Sequence, residues 1–211
     1  MPPSQKRIGT AKSTPVLQRI EQLHPYELFC YLTIASRILF HLFLIITFLQ
    51  KSGLRFDVVS PLHFPRAFHI SAIALVATLT VSTGIVSAYN RDEVAQLRRK
   101  LSYMIVSGLA LIILQALSWI ELLAVNDTRQ VLLYNDYLYL FSGILAFHIM
   151  ASTVFIAFQF YRIAALEGDP VKALILVTNP YEKVKLEIYS TFWHFTVALW
   201  LCVYLFYLLV Y

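Results

Sequence analysis

Apolar residues in this chain fall into five long runs separated by short polar breaks. The runs cover about 28–49, 68–89, 101–123, 138–161 and 188–211. Each is long enough for an α-helix to cross a hydrocarbon layer, which takes about 20 mostly apolar residues. A helix satisfies its own backbone hydrogen bonds, as a segment in lipid must. The alternating pattern of barrel strands, each about ten residues long, is not seen. The pattern therefore predicts an all-α polytopic membrane protein of five transmembrane helices, in one membrane domain over 26–211.

The breaks read as connections. Residues 1–25, with Pro2, Pro3 and Pro15, form a polar basic tail without the apolar core of a signal peptide. The connection from about 163 to 186 carries "EGDP" and "TNPYEKVK", both turn signals. No internal repeat is evident.

Composition agrees with the pattern. The 211 residues are 59% hydrophobic and only 14% charged, with mean hydropathy +0.67; a water-soluble domain carries about a quarter charged residues. The distribution of Lys and Arg then sets an orientation. With five helices, one side receives Lys6, Arg7, Lys12, Arg19, Arg91, Arg98, Arg99, Lys100, Arg162, Lys172, Lys183 and Lys185. The other receives only Lys51, Arg55, Arg66 and Arg129. Twelve against four predicts the N-terminus in the cytoplasm and the C-terminus outside. Topology and anionic lipid, not nucleic acid, account for the net charge of +5.

Polar side chains within the apolar runs are the candidates for function, because ionisable groups in hydrocarbon are costly. Arg37 and His41 are four apart and share a helix face, with Ser36 beside them as a polar stripe. No Asp or Glu lies deep in a run, and Glu187, at the entry of the fifth, is the nearest in-chain partner for Arg37. The alternatives are a carboxylate or lipid phosphate from a neighbour, or a guanidinium that snorkels to the interface. His41 and His148 fall at matched depth and would meet the minimum requirement for a bis-histidine haem. His194 lies nearer the cytoplasmic end, and packing is the bland reading of all three. Gln115 and Trp119 share a face of the third helix, and Ser142, Gly143, Ala151 and Ser152 give the fourth a small-residue surface for close contact. Cys30 and Cys202 form no metal-ligand cluster and read as buried thiols. No phosphate loop, nucleophile motif or paired intramembrane carboxylate appears.

These landmarks resemble subunit III of the haem–copper cytochrome c oxidases, in the five-helix form that lacks the first two helices, over about residues 26–211. The last run, "EIYSTFWHFTVALWLCVY", is similar to the family's terminal pattern through Glu187, Trp193, His194, Phe195, Trp200 and Tyr204. "GLALIILQALSWIEL" supplies Gly108, Gln115, Trp119 and Glu121, and "FSGILAFHIMAS" supplies Gly143 and His148. "YNRDEVAQLRRKL" stands where the family has its basic connection. Four positions depart from the pattern. Arg37 follows Ser36 where the family carries a Glu, Leu145 replaces the first His of a pair, Val197 replaces an Asp, and Ser118 stands where some relatives have a Glu.

The resemblance implies an accessory, non-catalytic subunit of a proton-pumping aerobic terminal oxidase in the bacterial inner membrane. No cofactor would be bound by this chain, the haems and copper belonging to subunits I and II. Its partners would be subunit I above all, then subunit II, small subunits, structural phospholipids and a larger respiratory supercomplex. Glu187, Trp193, His194 and Trp200 would then be structural, Trp193 and Trp200 either packing within the bundle or anchoring it against lipid. The rival reading is a stand-alone haem b electron carrier using His41 and His148.

Overall fold

A computed structural model describes residues 24–52, 64–124, 129–166 and 169–210. The basic tail before residue 24 and the connection carrying Arg55 and His63 lie outside the described residues. Among the described residues six helices follow in order: α1 Pro25–Ser52, α2 Arg66–Asn90, α3 Val94–Leu123, α4 Arg129–Ala164, α5 Pro170–Thr178 and α6 Pro180–Val210. All but α5 are long and apolar enough to cross a membrane, and the chain is a multi-pass membrane protein. No strand occurs among the described residues. The helices outrun the apolar runs that predicted them, because backbone hydrogen bonding continues into polar residues after hydrophobicity ends.

The inward faces follow one rule. On α3 the buried positions are Leu97, Leu101, Met104, Gly108, Leu111, Gln115, Ser118 and Leu122, in alternating steps of four and three. On α6 the same steps join Glu182, Leu186, Tyr189, Trp193, Thr196, Trp200, Val203 and Tyr207. On α4 they join Asn135, Leu138, Ser142, Leu145, Ile149, Ser152, Ile156, Gln159 and Ile163. This is a heptad seam, which keeps one face inward along the helix when neighbours cross at a shallow left-handed angle. α2, α3 and α4 pack in sequence, and α6 lies mainly on α2 while also meeting α1 and α4. α1 is the least embedded of the spanning helices and shows Phe29, Leu32, Leu39 and Phe43 outward.

Short contacts fix the order. Between α2 and α3, the amides of Asp92 and Glu93 donate to the carbonyls of Tyr89 (3.0 Å) and Ala88 (3.0 Å). The turn closes with Asp92 at φ 59°. Asp is one of the few side chains that enter this left-handed region readily. At the far end, Glu121 on α3 accepts from the Arg66 amide at 2.7 Å, a carboxylate on the N-terminus of α2. α3 and α4 meet so closely at Gly108 that a β-carbon there would fall on Thr153, 3.1 Å from Cγ2 and 3.2 Å from Cβ.

The connection read from turn signals alone contains α5. Asp169 caps it, its Oδ1 accepting from the amides of Val171 (3.1 Å) and Lys172 (3.1 Å), with Pro170 in the first turn. Pro and Asp mark a turn and a helix start equally well, and here "EGDP" opens a helix in place of the expected turn. The Tyr89 hydroxyl is shared between the carbonyls of Leu176 (3.0 Å) and Asn179 (2.8 Å), pinning the end of α5 to α2. Beside it Glu182 takes both Nη1 (3.2 Å) and Nη2 (2.9 Å) of Arg162, and Lys185 at 2.9 Å, which ties the end of α4 to the start of α6.

Two outcomes follow. Gly108→Leu overpacks the α3–α4 seam and lowers stability by about 1–3 kcal/mol, measurable as a fall in melting temperature in detergent. At Asp169 the Lys172 amide, and then its ammonium, hold the carboxyl below the usual aspartate range. A depressed value means that the cap acts above the ordinary aspartate pKa and is lost as pH falls through the depressed one. Amide hydrogen exchange at Val171 and Lys172, corrected for its intrinsic pH dependence, should therefore lose protection on acidification, and Asp169→Ala should remove the effect.

Candidate functional site at the bundle centre

Arg37 lies about 18 Å along α1 from Pro25, at about 1.5 Å per residue. It does not look outward. It is 5% exposed, turned between α1 and α6, with its Nη1 donating to Thr196 Oγ1 at 2.9 Å. Thr196 can accept because its own proton goes to the Phe192 carbonyl, 2.8 Å away. Phe192 and Phe195 flank the guanidinium, each ring centroid 5.2 Å from its central carbon. Nε and Nη2 have no hydrogen-bond partner among the described residues.

The expected pairing of Arg37 with Glu187 is not formed. Glu187 lies nine residues before Thr196 on α6, about 13 Å along the axis, and stands 3.7 Å from Lys183 at the bundle end. There it lines a cleft of about 410 Å³ with Glu27, Cys30, Tyr31 and Ser190. Arg37 is buried between helices of its own chain, so the snorkelling alternative gives way to an internal site. Ser36 is corrected as well. It is exposed, because adjacent residues on a helix are about 100° apart and only Arg37 and His41 share the inner face.

His41 is buried, its Nδ1 donating to the Arg37 carbonyl at 2.8 Å and its ring 5.7 Å from Phe141. His148 on α4 repeats the device, with Nδ1 on the Ile144 carbonyl at 2.6 Å and its ring 5.9 Å from Phe192. A nitrogen facing a carbonyl must carry a proton, so each neutral imidazole keeps its lone pair on Nε2. Arg37 and His41 lie within electrostatic reach of His148. The centre thus gathers one cation and two imidazoles against phenyl rings. Among the described residues no group of three His, Cys, Asp or Glu side chains comes together.

The tryptophans sit deeper in the packing. Trp193 is fully buried and donates from Nε1 to Thr78 Oγ1 on α2 at 2.7 Å, with Tyr189 stacked 6.0 Å away. Trp200, two turns on, is 2% exposed and packs 5.5 Å from Phe68. Both belong to the inner seam, which decides between packing and lipid anchoring in favour of packing. His194 is half-buried on the flank of α6, 3.4 Å from Ser190 Oγ. Trp119 donates to Ser142 at 2.9 Å across α3 and α4, whereas its helix neighbour Gln115 is buried with Nε2 unpartnered among the described residues. Cys30 is buried, but Cys202 is exposed on the outer face of α6.

Thr78 and Thr196 were the partners that the sequence reading did not single out. Their signal was present but diluted: both fall on heptad positions, yet Thr78 shares its run with Ser71, Thr80, Ser82, Thr83 and Ser87, and Thr196 its run with Ser190 and Thr191. No family model matches the chain, and no curated protein matches it in sequence.

A buried guanidinium with one hydrogen bond and two ring contacts sits close to energetic balance, a central Arg costing about 3 kcal/mol and each desolvated ring contact returning about 1–2. Arg37→Met should therefore leave stability within about 1 kcal/mol of wild type or raise it. Thermal unfolding in detergent checks the sign. A loss beyond about 2 kcal/mol would mean that Arg37 holds a further partner.

Proposed function

We propose that the chain is an accessory, non-catalytic subunit of a haem–copper terminal oxidase, of the subunit III kind. The observation that carries this reading is α6. The residues of the resemblance on that helix divide by role: Trp193 and Trp200 build the inner seam, Tyr204 bonds His69 on α2 at 2.6 Å, and His194 stays on the flank. All four make packing or hydrogen-bond contacts within the bundle, which is compatible with a structural role for this helix. Gly108 against Thr153 and Trp119 against Ser142 extend the same logic to the α3–α4 contact.

On this reading the chain lies in a bacterial inner membrane, N-terminus in and C-terminus out, as its basic connections direct. Subunit I would be the main partner, with subunit II, small subunits and structural phospholipids around it and a supercomplex beyond. The outward apolar face of α1, the least embedded of the spanning helices, is the part of the bundle with most surface to give to such a partner. Oxidation of cytochrome c or quinol, oxygen reduction and proton pumping belong to the other subunits.

The haem b carrier is the second reading, favoured by the fixed Nδ1–H orientation of His41 and His148. Against it stand the phenyl ring on each imidazole and the cationic Arg37 beside them.

Affinity purification of the full-length chain tests both. The subunit reading expects a large haem-containing polypeptide to travel with it, and Trp193→Ala, which opens a core cavity worth about 3–5 kcal/mol, to weaken that retention while haem per catalytic polypeptide stays unchanged. A chain that purifies alone and colourless overturns it. A chain that purifies alone with a Soret band replaces it with the carrier.

A further inference from the structure

Among the described helices α5 alone is too short to cross a membrane, yet it is as apolar as those that do. Its nine residues include Val171, Ala173, Leu174, Ile175, Leu176 and Val177. Its one charged side chain, Lys172, is paired with Asp169 at 3.1 Å. A helix that is apolar on every side is a buried helix. For one side of α5 the bundle supplies the cover, since Leu176 is 8% exposed and belongs to the hydrophobic core. The opposite side is bare. Val171, Leu174 and Ile175, spaced by three and then one, share a face turned away from Leu176, and all are exposed, from 60% to 67%.

Depth decides what meets that face. Tyr89 ends the second apolar run, and long side chains on a helix lean toward its N-terminus. The Tyr89 hydroxyl therefore lies no farther out than the edge of the run. It is bound to the carbonyls of Leu176 (3.0 Å) and Asn179 (2.8 Å), which holds the end of α5 level with the hydrocarbon edge. The exposed tyrosines mark the same level. Tyr26 and Tyr31 on α1, Tyr103 on α3, Tyr161 on α4 and Tyr181 on α6 are exposed by 51% to 74%. All five sit at this end of the bundle, and Tyr161 and Tyr181 bracket α5 in the chain. Toward the other end Tyr137, Tyr139, Tyr204 and Tyr207 are half-buried or buried. Outward-facing tyrosine rings gather at the boundary between membrane and water.

We infer that α5 is an interfacial helix, seated at the membrane boundary where α4 ends and α6 begins, with Val171, Leu174 and Ile175 set into the acyl chains of the surrounding bilayer. At about 14 Å it cannot span a hydrocarbon core of about 30 Å. It is also too apolar to stand in water, and the interface is the place left. The occupant is the fluid bilayer as a whole and not a lipid molecule held at a site. The connection from α4 to α6 is thereby a strap seated in the membrane, and no loop in water.

The test uses the full-length chain with Cys30→Ala and Cys202→Ala, in vesicles of phosphatidylcholine and phosphatidylglycerol, together with any polypeptide that accompanies it. Nitroxides are placed singly through Val171→Cys, Leu174→Cys and Ile175→Cys. Collisions with oxygen, which concentrates among acyl chains, are compared with collisions with a water-soluble nickel chelate. Val106→Cys, exposed within the apolar run of α3, is the lipid reference, and Arg91→Cys, exposed in the α2–α3 turn, is the boundary reference on the water side. All three α5 labels should read a depth of about 5–10 Å inside the headgroup boundary, with an oxygen-to-nickel ratio nearer that of Val106→Cys than that of Arg91→Cys.

A ratio equal to that of Arg91→Cys at any of the three positions would put the face in water and overturn the assignment. Few collisions with either reagent would show that protein covers the face, whether another polypeptide or the basic tail of this chain, and would also overturn it. Agreement among three separate positions guards against a local distortion at one of them. Co-purification of a haem polypeptide is untouched by every one of these outcomes, so the two readings fail separately.

Discussion

Lipid tails and buried side chains are equally apolar, so hydrophobicity cannot tell a spanning helix which face to turn inward. This bundle depends on another selector. Its seams place hydroxyls, amides, a glycine and large aromatics at heptad positions, where several meet a side chain of a neighbouring helix. Trp193 illustrates the consequence. Its indole N–H must be satisfied in a medium without water, and Thr78 on α2 is the acceptor provided. The same bond that satisfies the donor fixes the rotation of α6 against α2, and Trp119 with Ser142 does this for α3 and α4.

Close approach completes the arrangement. Gly108 lets α4 come near enough for Thr153 to occupy the space of a side chain, and dispersion gains most where backbones approach. The ends are held by charge, where water and headgroups make ion pairs affordable: Glu182 takes Arg162 and Lys185, and Glu121 takes the first amide of α2. Polar groups therefore serve two purposes by depth. Within the membrane they select faces, and at its edges they tie helix ends together.

Arg37 is the exception to the economy of the core. It is charged, central and without a carboxylate partner among the described residues, and the structure accommodates it with two phenyl rings and one threonine. Aromatic faces stabilise a cation without introducing a second charge that would itself need desolvating. Thr196 on α6, one turn from Phe192, supplies the hydrogen bond that a carboxylate would otherwise make.

The sequence by itself determined the five spans, their order and their approximate limits, because length and apolarity in a bilayer leave a helix little alternative. It also marked Arg37, His41, His148, Trp193 and Trp200, since a polar or bulky group in an apolar run is conspicuous wherever it points. What it left open was the partner of each. Arg37 with Glu187 was reasonable by charge and failed by nine residues of helix, while Thr196 was inconspicuous until α1 and α6 were seen at one depth. α5 is hidden in the sequence for a different reason: Asp169 and Pro170 open a turn and a nine-residue helix equally well, and the Tyr89 hydroxyl from another helix holds the end of this one. Hydrophobic length is a property of one segment and can be read along a line. Rotation, register and hydrogen-bond partnership belong to pairs of segments, and only the packed bundle decided them.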